Sequence, residues 1–341
     1  PKGILWKLEG VDIPNPNHFS DESSTGGPIN ALSSNMLANS DFFTGAFAPE
    51  YGNAISGIFD VKMRNGNNEK AEFTIGVGVL GVDLAAEGPF SKDYNGSYLF
   101  NYRYSSLSLL DNLGVVDFGG VPKYQDLSFK VNLPTSNAGT FSLFGLGGLS
   151  AINDEVENSE AIVMEQQEYE THMGTIGLNH FYNFSTNTFL KSSISASSNG
   201  SKAIGDERID TILTNTYNGD WAKTTLRGKV NLSHKFNNKH RLMLGISYDH
   251  YLYDMKEDYF DQDENIWENG ILLNENAGLL QAYASWKYRI KPNLTLVGGL
   301  HYTQFMLNNA NAIEPRIAVN WQISPNNIIS AGYGKHSMVE S

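Results

Sequence analysis

The side chains able to do chemistry are scattered along this chain rather than gathered. Its 341 residues include eight histidines and no cysteine, which excludes thiolate metal sites, disulfide scaffolds and cysteine nucleophiles. No G-x-S-x-G, H-E-x-x-H or G-x-x-x-x-G-K-[ST] segment occurs. His180, His234, His250 and His301 fall within strand patterns, where a packed or inward-facing imidazole is expected rather than a general base. The nearest catalytic pairing is His250 with Asp249 and Asp254. Neighbours on a strand point to opposite faces, so Asp249 does not meet His250 easily. No catalytic residue and no enzymatic activity are expected.

The carboxylates are gathered, in two places. Residues 152–172 hold seven acids and no base, and residues 254–275 hold eight acids with Lys256 alone against them, enough to account for the whole net charge of −13. Such stretches attract cations at a pore mouth, but they are also what long solvated segments look like, and that plainer reading is preferred. Asp261-Gln262-Asp263-Glu264-Asn265 approaches a calcium loop, yet Ile266 stands where the turn glycine belongs and Leu272 where the bidentate Glu belongs. Neither a metal site nor a cofactor is expected. With 24 basic residues against 37 acidic ones, a nucleic-acid partner is disfavoured.

The elements that would position these groups fall into two regimes. Residues 1–66 are broken by Pro14, Pro16, Pro28 and Pro49 and by many Gly, Asn and Ser residues, which describes a small, loop-rich domain. From about residue 71 the hydrophobic period becomes two and stays there. In Tyr98-Leu99-Phe100-Asn101-Tyr102-Arg103-Tyr104 the even positions are aromatic, while Asn101 and Arg103 point the other way. Leu226, Val230 and Leu232 alternate against Thr225, Arg227 and Lys229. Leu244, Ile246 and Tyr248 oppose Ser247 and Asp249, and Ile317, Val319 and Trp321 oppose Arg316 and Asn320. About twelve such segments follow one another, each near or above the roughly 9–11 residues that a tilted strand needs to cross a bilayer.

The connections alternate in length. Short ones fall at 89–95, 134–139, 183–187, 237–240, 291–293 and 324–327, with long ones between them at 106–122, 152–169, 200–222 and 254–275. In an up-and-down meander every second connection lies at the same rim, so this sorting marks an outer-membrane β-barrel with short periplasmic turns and long external loops. Strands in hydrocarbon must pair continuously, with one apolar face toward lipid and one polar face toward the lumen. The aromatics Tyr251, Tyr253, Trp286, Tyr288 and Trp321 are expected at the interfacial girdles or in cross-strand packing. No stretch reaches the roughly 18 apolar residues of a membrane-spanning helix, and the opening residues do not read as a signal peptide. The chain begins with Pro and reads as an internal piece of something longer.

The N-terminal region carries a family resemblance. Residues 3–19 and 40–66, above all Tyr51-Gly52 and Ser56-Gly57-Ile58-Phe59-Asp60-Val61, resemble the second half of the plug of TonB-dependent outer-membrane receptors, particularly the Bacteroidetes type. Val82 to Phe90 and Tyr98 to Tyr104 resemble the first barrel hairpin of that group. The resemblance implies an all-β fold: residues 1–67 as the C-terminal half of a plug, and residues 68–341 as the first part of a transmembrane antiparallel up-and-down barrel of about twelve strands. A family barrel has 22 strands, and the first half of the plug and the TonB box are absent, so a fragment is expected. For the intact protein it implies active import of a scarce ligand, such as siderophore-iron, cobalamin, a glycan or a peptide. The partners would be outer-membrane lipid and the inner-membrane TonB complex, and the setting the cell outer membrane of a Gram-negative bacterium.

On that reading the plug tips come from residues 15–35 and 41–51, and Phe42, Phe43, Phe47 and Tyr51 meet the ligand by stacking, or else pack between plug and wall. Arg64, Arg103 and Arg227 face the lumen and hold the plug through ion pairs. Gly45, Gly52 and Gly57 serve the backbone. Two other classes stay open: a non-transporting outer-membrane barrel, either an adhesin or a rim enzyme, and a soluble β-sandwich that binds glycans.

Overall fold

The computed structural model describes residues 3–20, 26–78, 81–106, 109, 122–159 and 162–339. Its N-terminal part is built of short strands: β1 (Ile4–Leu8), β2 (Val11–Ile13), β3 (Asn17–His18), β4 (Ile29–Asn30), β5 (Asp41–Thr44) and β6 (Gly57–Val61). Four of them form one sheet in the order β2-β1-β6-β5, with β1 and β6 parallel; β3 and β4 pair with each other. The β1–β2 link is the two-residue turn Glu9-Gly10, and both residues have positive φ, 55° and 86°. A two-residue turn of this hand matches the twist of the flanking strands, and glycine at its second position avoids the Cβ penalty there.

Thirteen further strands make one continuous antiparallel sheet among the described residues: β7 (Glu72–Gly78), β8 (Gly81–Ser91), β9 (Tyr94–Tyr104), β10 (Lys123–Pro134), β11 (Thr140–Glu157), β12 (Val163–Ser185), β13 (Thr188–Ile209), β14 (Ile212–Lys235), β15 (His240–Asp261), β16 (Ile266–Lys291), β17 (Leu294–Phe305), β18 (Ala310–Ser324) and β19 (Asn327–Gly334). Each pairs with its sequence neighbours, and β7 and β19 are the edges. The period-two reading thus holds, with thirteen strands where about twelve were expected. Leu244, Ile246, Tyr248 and Leu252 of β15 are exposed while Asp249 and Tyr251 between them are buried. In β18, Ile317 and Trp321 are exposed and Glu314 and Arg316 buried. One face is apolar and the other carries the charge.

The long connections are corrected by the structure. Residues 152–169, 200–222 and 254–275 are not loops. They are the far arms of strand pairs that close only at 158–162, at Asp210-Thr211 and at 262–265, so that β11 to β16 run 18 to 26 residues each. Beyond the apolar band both faces of a hairpin meet water, so the apolar alternation that marks a strand disappears while the backbone ladder continues. The connection at 106–122 falls almost wholly outside the described residues. The girdle assignment is corrected for Tyr251 and Tyr253. They share the inward face of β15 with Asp249, whereas Trp286 and Trp321 are exposed on the apolar face.

The short N-terminal region has a small cluster of its own, Phe47, Ala54 and Ile58, but shares its larger core with the wall. Leu8, Val11, Ile13, Met36, Val61 and Met63 close over Leu99 of β9 and over Phe144 and Leu146 of β11. Its polar groups also reach β10, β12, β14, β17 and β18. So few residues touch so many successive strands only if the large sheet curls around them. Gly52 lies where a side chain would collide with Gln281 and His301 of the wall, so it is needed for close approach rather than for a turn.

Two arginine substitutions test the direction of the apolar face. Ile246→Arg is expected to destabilise the folded barrel by about 2–4 kcal/mol, because it puts a charge against hydrocarbon. Leu272→Arg, on the projecting arm of β16, should change stability by less than about 0.5 kcal/mol, because that side chain already faces water. Urea unfolding in lipid vesicles measures both, and equal effects would show that the exposed face does not meet lipid.

Candidate functional site

The inward face of the sheet carries charged side chains, and most of them end on the N-terminal region. Arg227 of β14 donates from Nε and Nη2 to both oxygens of Asp249 on β15, at 2.6 and 2.8 Å. The same guanidinium donates to the backbone oxygen of Asp12 in β2 and lies 3.8 Å from its carboxylate, which Lys7 also holds. Burial alone would raise the Asp12 carboxyl, but the charges of Lys7, Arg227 and Lys229 overcome it and hold the group well below the usual range. Lys130 of β10 bridges Glu9 at 2.9 Å and the Met63 carbonyl at 2.8 Å. The β1–β2 turn is thereby tied to two separate walls.

A second set of contacts surrounds β3 and β4. Arg103 of β9 donates to Asp126 of β10 at 2.7 Å and to the Asn30 carbonyl at 2.6 Å, and His18 meets the same Asp126 at 3.1 Å. Arg64, just after β6, makes a two-pronged contact with Glu87 of β8 at 2.6 and 2.7 Å. A third set holds the segment after β5: Arg316 donates to the carbonyls of Ala48 and Tyr51, and His301 contacts the Pro49 carbonyl at 2.8 Å. Arg64, Arg103 and Arg227 therefore each touch both the N-terminal region and the sheet. Arg316, Lys130 and His301 do the same and were not singled out from sequence. Their signal was present: each sits at an inward-facing position of a strand whose other face is apolar.

The four candidate aromatics separate. Phe42 is 54% exposed and stacks on Phe59 with ring centres 4.3 Å apart. Phe43 leans on Tyr51 at 5.3 Å. Phe47 is buried with Ala54 and Ile58 and meets His336 edge-on. The Tyr51 hydroxyl donates to Asp60 at 3.0 Å, and burial together with that carboxylate pushes its ionisation far up. Gly45 has a φ of 88°, and Gly57 faces the Phe42 ring. Residues 21–25, within the expected tip at 15–35, lie outside the described residues.

Between β1 to β3 and the inner faces of β11 to β15 lies a cavity of about 330 Å³, lined among others by Trp6, Asn15, Trp221, Lys223, Tyr251 and Tyr253. It shares Ser150, Thr171 and His172 with a wider recess of about 610 Å³ higher on β9 to β14. No cluster of three or more His, Asp or Glu able to hold a metal exists among the described residues. Asp249 is committed to Arg227, and His250 lies on the opposite face. The two acidic arms contact themselves and the arm beside them, as in Lys256 with Asp258 at 2.5 Å, Tyr259 with Glu268 at 2.6 Å and Gln262 with Glu207 at 2.8 Å.

Two perturbations read this seam. Arg227→Met leaves Asp249 and Asp12 buried without their shared cation and should cost about 3–5 kcal/mol in an unfolding titration. Replacing Arg227 and Asp249 together should cost clearly less than the single change; an equal cost would mean that the pair is not coupled. Glu50 gives the second. Burial raises its carboxyl above the ordinary value, and its Oε2 has no hydrogen-bond partner among the described residues. An acid raised in the folded state favours folding while protonated and costs stability as pH rises above its unfolded value. Glu50→Gln should therefore raise the melting temperature at pH 7.5 more than at pH 4; the reverse order would mean that the ionised form is stabilised.

A family model described as TonB dependent receptor-like, beta-barrel matches residues 64–337. No curated protein matches the chain. Among solved structures, it resembles the pyoverdine outer membrane receptor FpvA of Pseudomonas aeruginosa PAO1 with a TM-score of 0.72 at 12% identity, over 99% of this chain and 56% of that one. It resembles the siderophore receptor PirA of Acinetobacter baumannii with a TM-score of 0.64 at 13% identity, over 100% and 54%. The FrpB iron transporter of Neisseria meningitidis gives 0.65 at 13% identity, over 99% and 56%. These likenesses concern the fold, and the chain spans about half the length of each of these proteins.

Proposed function

The chain belongs to the TonB-dependent receptor-like β-barrel family, and from that premise we propose that the intact protein imports a scarce small ligand across the outer membrane under the drive of the TonB complex. The family places the chain in the outer membrane of a Gram-negative bacterium and among receptors rather than enzymes. The observation that carries the proposal is a small N-terminal sheet seated on the charged inner face of an apolar-sided barrel wall, with a cavity left between them. Such a seat closes a pore at rest and, being polar, is one that a pull can detach and water can rewet.

In this reading residues 1–67 are the C-terminal half of the plug and residues 68–341 the beginning of the barrel. Arg64, Arg103 and Arg227 are plug–barrel contacts, each bonded to groups on both sides. Phe42 is the ligand-facing aromatic, because it keeps exposed ring surface, whereas Phe43, Phe47 and Tyr51 pack with one another and hold the segment in place. The arms of β11 to β16 beyond the apolar band are the external ligand-gathering surface, and the short turns lie on the periplasmic side. The ligand is a siderophore-iron complex in preference to cobalamin, a glycan or a peptide, since the structural neighbours are a pyoverdine receptor, a siderophore receptor and an iron transporter. The narrower likeness to the Bacteroidetes type stays part of the proposal.

The test is uptake. Cells carrying the full-length receptor should accumulate radioactive iron supplied as soluble chelates, and that uptake should fall to background when the TonB complex is deleted. The receptor itself should migrate as a folded band in SDS that shifts on heating. Uptake that persists without the TonB complex, or a protein recovered outside the outer-membrane fraction, would overturn the reading.

A further inference from the structure

The outward side of the wall has a depression that an apolar band alone does not require. On that side β10 to β15 form one rung of Leu127, Gly147, Gly174, Ser198, Thr224 and Leu252, each opposite the next. Glycine inside a strand weakens it and marks a place where another group approaches the backbone. Neither Gly147 nor Gly174 has a positive φ, and a Cβ on either would meet nothing nearer than backbone at 3.7 Å. Neither a turn nor a close neighbour among the described residues therefore demands them. The Thr224 hydroxyl donates to that of Ser198 at 3.1 Å, and Gly200 and Ala222 extend the small floor into the next rung. The result is a shallow channel across β11 to β14, bordered by the exposed side chains of Leu127, Leu149, Ile176, Leu226 and Leu252.

Two rungs farther toward the arms, the same face turns to charge. Lys123, Ala151, Glu170, Lys202, Asp220 and Lys256 stand side by side there, and all but Ala151 are exposed. The outward side chains of Lys123, Leu149, His172 and Lys202 also line the recess of about 610 Å³, which therefore opens where channel and charge meet. An apolar channel that ends at a charged rung has the shape of a single lipid, with a chain below and a head group above. Ammonium donors suit phosphate oxygens. Glu170 and Asp220 flank Lys202, and a layer of multiply phosphorylated head groups bridged by divalent cations presents both signs, so lysine meets phosphate while carboxylate meets the bridging cation. We propose that this outward face binds a phosphorylated glycolipid of the outer leaflet, one acyl chain lying over Gly147 and Gly174 and a phosphate at Lys202. The assignment takes from the import reading only that the arms are external; it involves neither the lumen nor the N-terminal region.

Native mass spectrometry of the delipidated full-length receptor tests it by titration with three lipids: a bis-phosphorylated acyl disaccharide, the same lipid without its phosphates, and phosphatidylglycerol. The wild type is expected to retain the phosphorylated glycolipid more tightly than either of the others. Lys202→Met should weaken it by roughly fivefold or more, the effect of one lysine at an anionic head group, and Lys202→Arg should restore it to within about twofold, since the charge and donors remain. Gly174→Leu, which fills the channel and leaves every charge in place, should weaken it by about fivefold as well, through a clash with the chain. Lys239→Met, at the opposite rim, should change nothing. Heat-shifted mobility in SDS checks that each variant is folded. Equal retention of all three lipids, affinity unchanged in both Lys202→Met and Gly174→Leu, or displacement of the lipid by inorganic phosphate alone would overturn the proposal. TonB-dependent uptake of iron is a separate readout, so failure of the lipid site leaves the import reading standing, and failure of uptake leaves the lipid site standing.

Discussion

A charge cannot face hydrocarbon without a cost of several kilocalories per mole, and a charge turned away from hydrocarbon still has to find a partner. Every strand of the wall obeys the first half of that constraint by keeping its outward side apolar. The inward side therefore collects Arg103, Asp126, Lys130, Arg227, Asp249, Glu314 and Arg316, all buried or nearly so. The second half is met by the N-terminal region, whose carbonyls and carboxylates end on those groups. The plug-like seat and the barrel-like wall are two consequences of one solvent problem.

This explains the character of the contact. A seat of mainly apolar packing would be difficult to open into water, since detaching it would expose the whole apolar area. Here an apolar patch around Leu8, Met36 and Phe144 is bordered by hydrogen bonds and ion pairs, groups that water solvates well once they separate. Breaking them one by one leaves buried charge and is costly; wetting them together is less so. A device that must remain shut and still be movable gains from that difference.

How much was legible in the sequence follows from what each signal records. Alternation records the solvent on the two sides of a strand, so Tyr98 to Tyr104 and Leu242 to Leu252 read correctly wherever one side is apolar. The same signal is silent for the arms at 152–169, 200–222 and 254–275, where water lies on both sides, and they were read as loops although the ladder continues through them. It also places Tyr251 and Tyr253 inward, with Asp249, by parity alone; their aromatic character pulled them toward the interface instead. Arg64, Arg103 and Arg227 were recognisable as inward charges, and the equal claims of Lys130, His301 and Arg316 rest on the same rule applied to more strands.

The strand-by-strand architecture is legible in the amino-acid sequence, because a strand's two faces and its neighbours in a meander are properties of local order along the chain. The same local order puts the charge on the inward face. Pairing across distance is a property of the folded chain alone: that Asp12 meets Arg227, that Asn30 meets Arg103 and that Tyr51 meets Arg316. Those contacts join residues up to 265 positions apart, and no periodicity records them. Which cations hold the N-terminal region depends on how the sheet curls around it. That curl is set by packing of the whole, not by any segment.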